Sequence, residues 1–567
     1  MNKRWALRDI ADHEEVKSLA GALNIDPVLS ALLISRGIKT FEDARLFFRP
    51  DLRLLHDPFL MEDMEKAVLR IEEAISRGEK ILVFGDYDVD GTTAVSVVYS
   101  FFKKRYNNLE YYIPDRYLEG YGISFKGIDY AAENGFTLIV ALDCGIKSVD
   151  KIAYANERSI DFIICDHHLP GDQLPEAVAI LDPKRPDCAY PYKELSGCGI
   201  GFKLVQAYAE KNEIPLEEVT CYLDLVAISI ACDIVHITGE NRILAHLGLQ
   251  KINTDPSIGV KTLMEVAGRG TYYTISDVVF LLGPRINAAG RIDDAKHAVE
   301  LLITTDVEVA KEKSLLINVK NTERKGHDLS ITDEALSIID SNEELINRNS
   351  TVVFNEHWHK GVIGIVASRL TEKYYRPTIV LTRSNGHVAG SARSVIGFDL
   401  YEALCGCSDL LIQFGGHKFA AGLTMHPENV EAFAARFEEV VSATIKPEQL
   451  IQQISIDAEL HLSQIEPKFF RLLNMFAPFG PENMAPVFLS KNVYVSGVAG
   501  LVGESHVKMT VIQKGSPGFE SIAFGQGEHL PKLKKDVPFD ICYTIEENIW
   551  REKRSIQLNI KGIRFTS

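Results

Sequence analysis

The chain lacks the features that would place it in several common classes. Its nine cysteines are an odd number spread over 567 residues, and no two are spaced as Cys-x-x-Cys, so neither a disulfide framework nor a zinc knuckle is indicated. No apolar run approaches the roughly 18 residues that a membrane-spanning helix requires. The strongest candidate, Leu223 to Ala231, is interrupted at Asp224 and closed by Asp233. Met1-Asn2-Lys3-Arg4-Trp5 leads into Asp9, Asp12 and Glu14 without the apolar stretch of a signal peptide, so the expectation is a reduced, cytoplasmic protein with no membrane association. Positive charge is also in deficit: 61 Lys and Arg against 78 Asp and Glu leave a net −17, which argues against polyanion binding over the whole surface. Any nucleic acid must be held in a local groove. There is no internal repeat and no low-complexity tract. What remains, 46% hydrophobic and 25% charged, is the balance of a well-buried protein, long enough at roughly 150 residues per domain for three or four domains.

Hydrophobic patterning divides the chain further. Residues 1–75 read as helical, with Val16, Leu19 and Leu23 at helical spacing and an amphipathic stretch from Met64 to Ile75. Over 76–305 short apolar runs alternate with helix-like segments: Ile81 to Phe84, Tyr111 to Ile113, Leu138 to Leu142 and Phe162 to Cys165. That alternation predicts an α/β domain with a parallel, doubly wound sheet covered on both faces. Residues 306–345 are charged and helical in period, a connecting helix. A second, smaller α/β block spans 346–446, starting at Thr351-Val352-Val353-Phe354 and continuing at Thr378 to Leu381. From 447 to 567 short alternating segments such as Val493-Tyr494-Val495 and Ile556 to Ile560, with Gly-rich turns, suggest a small β-barrel.

The acidic residues fall at the ends of these runs. Ile81 to Gly85 passes directly into Asp86-Tyr87-Asp88-Val89-Asp90-Gly91-Thr92, the next strand ends at Asp143, and the one after at Asp166-His167-His168. A fourth apolar segment, Val226 to Cys232, is read as a further strand presenting Asp233. One aspartate after a strand is ordinarily a cap or turn residue. Four such ends, one with consecutive histidines, can converge on the carboxyl edge of an open parallel sheet, where ligands bind. Clustered carboxylates without matching lysines repel one another unless a cation neutralises them. Oxygen ligands with an imidazole and no thiolate suit manganese or magnesium, and paired ions would serve phosphoryl hydrolysis. Gly91 and Thr92 can open a helix whose N-terminus favours phosphate, and no GxxxxGK[ST] loop lies near them.

The pattern Asp86-Tyr87-Asp88-Val89-Asp90-Gly91, Asp143, Asp166-His167-His168 and Asp233 resembles the motif set of the DHH phosphoesterases. Gly283-Pro284-Arg285-Ile286-Asn287-Ala288-Ala289-Gly290-Arg291, Ser391-Ala392-Arg393-Ser394 and Phe414-Gly415-Gly416-His417 resemble its RecJ branch of single-strand-specific 5′-to-3′ DNA exonucleases, and Pro478 to Asn483 with the tail resembles that branch's oligonucleotide-binding (OB) barrel. The resemblance implies a DHH domain, a DHH-associated domain and an OB-like domain. It implies Asp88, Asp90, Asp143, His167 and Asp233 as ligands of two Mn2+ or Mg2+ ions, with Asp86 a further ligand or an acceptor behind them, and His168 supporting the metals or the scissile phosphate. Arg116 would lie near the 5′ phosphate, Arg285, Asn287 and Arg291 would line the cleft, and Ser391, Arg393, Gly415, Gly416 and His417 would face it. Implied partners are single-stranded DNA, the single-strand-binding protein and a RecQ-type helicase, in recombination and repair; a monomer is expected. Phe414 stands where smaller family phosphatases often carry a third glycine, which favours the exonuclease branch.

Other readings stay open at this stage. A DHH phosphatase acting on pyrophosphate or short oligonucleotides is argued against by the long β-rich tail. A noncatalytic scaffold related to replication-fork accessory proteins would tend to lose ligands, whereas every acidic motif is complete. For DNA contact, Lys360, Arg369, Lys373, Arg376, Arg383, Arg393 and Lys418 supply a local basic set, with Arg369 and Lys373 read as a solvated helix face. Trp358 is a candidate for stacking on a base. Tyr494, Phe524, His506 and Lys508 combine stacking with charge, although core packing is the expectation for Tyr494 and Phe524 individually. Cys144, Cys165 and Cys232 read as small buried residues. Selectivity for single strands would be steric, from a cleft too narrow for a duplex.

Overall fold

The computed structural model describes residues 3–9, 12–270, 272–292, 294–550 and 553–565. Met1 and Asn2, which open the segment read as lacking a signal peptide, lie outside them. The chain forms two compact units, one of residues 1–5, 291–293 and 319–454, the other of residues 6–290, 294–318 and 455–567.

The N-terminal stretch begins with a departure from the helical expectation. Arg4–Leu7 is a strand, β1, and only then do the helices His13–Leu23, Pro27–Ile34 and Phe41–Phe48 follow. Asp12, Asp26 and Thr40 cap these helices by accepting backbone N–H groups, which sets their starts. The strand escaped notice because four residues carry too little alternation to register.

Next comes a parallel five-stranded sheet of β2 (Lys80–Gly85), β3 (Leu109–Tyr112), β4 (Phe136–Leu142), β5 (Asp161–Cys165) and β6 (Ala179–Leu181), in the order β3-β2-β4-β5-β6. Its strands are continuous apolar runs because helices cover both faces, one around Val83, Val140 and Ile163 and the other around Leu82, Ile139 and Ile164. The chain leaves β2 toward β3 on one side and returns to β4 on the other, so the order reverses between β2 and β4. That is the position where doubly wound sheets open a crevice at their carboxyl ends.

The segment before Asp233 is a helix, Leu223–Cys232, and not the expected strand. It is buried over almost its whole length, so its sequence reads as one apolar run in which helical periodicity is invisible. Asp233 is the residue that follows its last turn.

The smaller unit holds the C-terminal part of the long helix Val307–Asp340 and a mixed sheet of β7 (Thr351–Phe354), β8 (Thr378–Ser384), β9 (His387–Arg393), β10 (Gln413–His417) and β11 (Ala420–Met425), in the order β10-β11-β9-β8-β7. Trp358 is 4% exposed, and its indole N–H donates to Glu334 at 2.9 Å, so it packs in this unit's core and offers no face to a base.

Strand β12 (Gln453–Ile456) pairs with β1, and β13 (Ala458–Glu459) leads into the C-terminal strands β14 (Phe488–Val502), β15 (His506–Ile512), β16 (Phe519–Ala523), β17 (Phe539–Trp550) and β18 (Lys553–Phe565). Pairing runs β14-β15-β16-β18-β17, and β17 returns to β14 to close a five-stranded barrel. Val16, Leu29 and Leu33 of the N-terminal helices share one apolar core with Phe488, Val507 and Tyr543 of the barrel. Within the same unit the Ile237 N–H donates to the Pro481 carbonyl, and Arg242 donates to the carbonyls of Phe47, Met475 and Phe476. No single helix among the described residues is long and apolar enough to cross a membrane.

Candidate metal centre

Strand β2 ends at Gly85, and the helix Val89–Lys103 starts only four residues later, capped by Asp88 through the Gly91 N–H at 3.0 Å. This tight turn brings Asp86, Asp88 and Asp90 together. It requires Gly91, because a Cβ there would lie 2.4 Å from the Asp86 carbonyl oxygen. The three carboxylates have different surroundings. One oxygen of Asp86 accepts the Gly122 N–H at 3.1 Å, while its other oxygen is buried with no hydrogen-bond partner. Asp90 accepts from the Gly197 and Cys198 N–H groups at 2.7 and 2.8 Å and from the Ser229 hydroxyl at 2.6 Å. Asp88 is half-buried at the turn.

Asp143 follows β4 with φ 60°, in the left-handed region where a non-glycine residue is strained by about 1–3 kcal/mol. Gly197 packs against it so closely that a Cβ would lie 2.6 Å from the Asp143 Cβ. From the end of β5, His167 sets its Nε2 at 3.2 Å from Asp143, 3.5 Å from Asp233 and 3.8 Å from Asp90. Neither ring nitrogen of His167 has a partner of hydrogen-bond geometry, and Oδ1 of Asp143 is likewise buried and unsatisfied. Asp90, His167 and Asp233 form one group able to hold a metal ion, and Asp143, His167 and His168 a second.

Burial, followed by the repulsion of neighbouring aspartates, holds Asp86, Asp143 and Asp233 well above the usual carboxylate range and raises Asp88 too. Burial also lowers His167, so its imidazole is neutral and has a lone pair to donate. Four acids pushed toward protonation, one neutral imidazole and several buried acceptor atoms without partners form a site that is costly without a cation. The oxygen-rich donor set, with no thiolate, fits a hard divalent ion such as Mn2+ or Mg2+. Cys144 and Cys165 are buried, Cys232 is partly buried, and burial pushes all three thiols up, so they are not thiolates.

Asp166 is an anchor. Oδ2 accepts the Ile146 N–H, and Oδ1 accepts the N–H groups of His167 and His168 and the His168 Nδ1 proton at 2.7 Å. Burial works against its charge, but the His168 hydrogen bond, the charge of both histidines and the Ile146 N–H together outweigh it and hold Asp166 well below the ordinary range; burial lowers His168, and the bond to Asp166 with the surrounding acids raises it in sum. His168 thus directs Nε2 outward, 3.4 Å from the Tyr121 hydroxyl, which also donates toward the Asp143 carbonyl at 3.3 Å. The Tyr121 loop is fixed by buried Glu119, which accepts from the Tyr112 and Ser124 hydroxyls and the Asp115 N–H, and on that loop Arg116 stacks 4.5 Å over the Tyr87 ring. Asp182, one residue past β6, is a further strand-end carboxylate that sequence reasoning missed; burial pushes it up to about 7.

The remaining candidates divide. Arg285 is 8% exposed and donates to the Leu281 carbonyl and Asn318, so it braces the helix Gly283–Ile292, on which Asn287 is half-buried. Arg291, at the end of that helix, donates to the Gly361 carbonyl. On β9, Arg393 donates to the Ser391 hydroxyl and the Ala392 carbonyl, and no carboxylate among the described residues pairs with it. Gly415, Gly416 and His417 lie on β10, exposed, with Gly416 (φ 148°) so close to Ala420 that no Cβ fits. Of the basic set, Arg376 is consumed by the carbonyls of Leu345, Ile346 and Arg348, Arg369 pairs with Asp328, Lys373 with Asp340 and Arg383 with Glu356. Phe524, expected in the barrel core, is 54% exposed and packs edge-on against His506.

Family models match three stretches of the chain: the DHH family N-terminal domain over residues 80–230, the DHHA1 domain over 347–443 and the RecJ OB domain over 456–562. The chain is 38% identical over 562 residues to the single-stranded-DNA-specific exonuclease RecJ of Bacillus subtilis, covering 98% of this chain and 70% of that one. Against the protein of the same name from Escherichia coli it is 32% identical over 559 residues, covering 95% and 96%. The fold superposes on the crystal structure of RecJ from Thermus thermophilus in complex with Mn2+ with a TM-score of 0.85 at 26% identity, covering all of this chain and 80% of that one.

Proposed function

The chain belongs to the RecJ family of DHH phosphoesterases, and from that premise we propose that it is a divalent-metal-dependent exonuclease that hydrolyses single-stranded DNA from the 5′ end. The observation that carries this reading is the convergence of Asp90, Asp143, Asp233 and the neutral His167 around buried acceptor atoms that no protein group satisfies, with Asp88 near enough to repel Asp143 and Asp233. Asp88, Asp90, Asp143, Asp233 and His167 would hold two Mn2+ or Mg2+ ions, with Asp86, one of whose oxygens has no partner, as a further ligand or an acceptor behind them. When bound, such a pair lowers the pKa of water and offsets charge on a phosphoryl group.

The chain's own residues supply the rest. Asp166 keeps the His168 proton on Nδ1, which leaves the partly exposed Nε2 side toward a scissile phosphate. Arg116, fixed over Tyr87, is the cation we assign to the 5′ phosphate, and Arg393, which no carboxylate among the described residues neutralises, binds the strand with Ser391, Gly415, Gly416 and His417, because a guanidinium fork suits phosphate oxygens. Asn287 and Arg291 extend that contact; Arg285 acts by bracing their helix. Phe524 and His506 offer a stacking face on the barrel.

This assigns catalysis to residues 76–305, strand binding to 346–446 and 447–567, and connection to 306–345, with 1–75 supporting the barrel. The chain would act as a cytoplasmic monomer in recombination and repair, supplied with strands by a RecQ-type helicase and the single-strand-binding protein.

Time courses on long single strands labelled at either end, with Mn2+, Mg2+ or a chelator, test the proposal. Mononucleotide release first from a 5′ label, abolished by chelator and absent on blunt duplex, is expected. Equal rates on duplex, or activity in chelator, would contradict it.

A further inference from the structure

Asp90 is unlike the other acids of the centre because its carboxylate is already held by the protein on both oxygens. Oδ1 accepts from the Cys198 N–H and the Ser229 hydroxyl, and Oδ2 accepts from the Gly197 N–H. A carboxylate offers about four lone-pair directions. Three are taken, and the one left is on Oδ2, the oxygen that faces His167 Nε2 at 3.8 Å.

The direction of each hydrogen bond follows from the groups themselves. The Ser229 hydroxyl donates to Asp90 Oδ1, so its proton is committed there and its oxygen is left to accept. Ser196 caps the helix Gly197–Lys211 by accepting the Gly199 N–H at 3.1 Å, and lies 2.6 Å from the Ser229 oxygen, to which its own proton is directed. A single chain therefore runs from the Gly199 amide through Ser196 and Ser229 to Asp90, and both serines are fully buried. Ser229 sits in the middle of the buried helix Leu223–Cys232, where its hydroxyl is closed off from solvent and meets Asp90, Ser196 and the Cys198 thiol.

We infer that Ser229, oriented by Ser196, is a positioning residue that fixes Asp90 as a one-oxygen metal ligand through Oδ2 and keeps Oδ1 out of coordination. The inference rests on the metal-dependent reading above and deepens it. Partners behind a ligand of this kind typically alter metal affinity by about 10–100-fold when removed.

The test is Mn2+ titration of the full chain followed by electron paramagnetic resonance, which reads free ion without turnover, alongside thermal unfolding of the metal-free protein. Ser229→Ala should weaken Mn2+ binding about 10-fold, and its exonuclease rate should recover as Mn2+ is raised. Ser196→Ala, which leaves the Ser229 hydroxyl in place but undirected, should weaken Mn2+ binding by a smaller factor and also lower the unfolding temperature through the lost cap. Folded Ser229→Ala that binds Mn2+ as the unaltered chain does would overturn the inference. Should Ser229→Ala not fold, unchanged Mn2+ affinity in Ser196→Ala would overturn it instead. An unaltered chain that takes up no Mn2+ would sink the functional reading itself, which keeps the two failures distinct.

Discussion

The two open sheets of this molecule present opposite kinds of edge. At the carboxyl end of β2, β4 and β5, Asp86, Asp143 and His167 are buried with unsatisfied atoms, and Gly91 and Gly197 are required because any side chain would meet backbone or Asp143. At β9 and β10, Arg393 donates through one nitrogen to the Ser391 hydroxyl and the Ala392 carbonyl, while Gly415 and His417 stand in solvent and a Cβ on Gly415 would touch nothing. The first edge is incomplete until a cation fills it; the second, among the described residues, leaves no buried side-chain acceptor without a partner and suits reversible contact. Damage to the first should therefore abolish function, and damage to the second should grade it.

The largest effect is expected at the first edge. Asp143→Ala should lower the cleavage rate by at least about 10⁴-fold, corresponding to about 5.5 kcal/mol of lost transition-state stabilisation, while single-strand binding measured by fluorescence anisotropy persists. Full activity would remove Asp143 from the mechanism and erase the contrast between the edges. Next is Asp182, whose folded carboxyl retains its proton to about pH 7 against 3.8 when unfolded. The folded state binds more protons at this carboxyl between those values, so its contribution to the stability of the metal-free protein should be lost as pH rises from about 4 to 7. Asp182→Asn should make the fall of stability with pH shallower, the raised carboxyls of Asp86, Asp143 and Asp233 keeping the remainder, and stabilise the chain at pH 8 by up to about 4 kcal/mol in urea unfolding. An unchanged slope would mean that this carboxyl titrates normally.

At the second edge the effects should be smaller and fall on binding. Arg393→Ala should raise KM roughly 10–100-fold, the value of hydrogen bonds to a charged group, and leave kcat within a few fold. A loss confined to kcat would place Arg393 in the chemistry and break the distinction. Gly415→Ala, with open space at its Cβ, should change neither stability nor kcat by more than about 2-fold.

How much of this was legible depends on the distance over which each signal acts. Strands β2, β4 and β5 could be read because buried parallel strands are continuous apolar runs, and their terminal acids follow at once in sequence. The Leu223–Cys232 helix could not, since burial on every side hides the period that separates helix from strand. Asp182 was missed because β6 is only three residues long. The Asp90 contacts to Gly197 and Ser229 join residues more than 100 positions apart, and no local pattern announces them. Trp358 and Phe524 exchanged roles, one buried and one exposed, because composition names aromatic residues without saying which way they face.

The central claim is that distant acids and one imidazole gather divalent ions at the reversal point of the parallel sheet. Crystals soaked in Mn2+ and measured at the manganese absorption edge test it most directly. The account predicts two anomalous peaks about 3.5–4 Å apart, within bonding reach of Asp88, Asp90, Asp143, His167 and Asp233. A map without peaks among these side chains under saturating Mn2+ would contradict it.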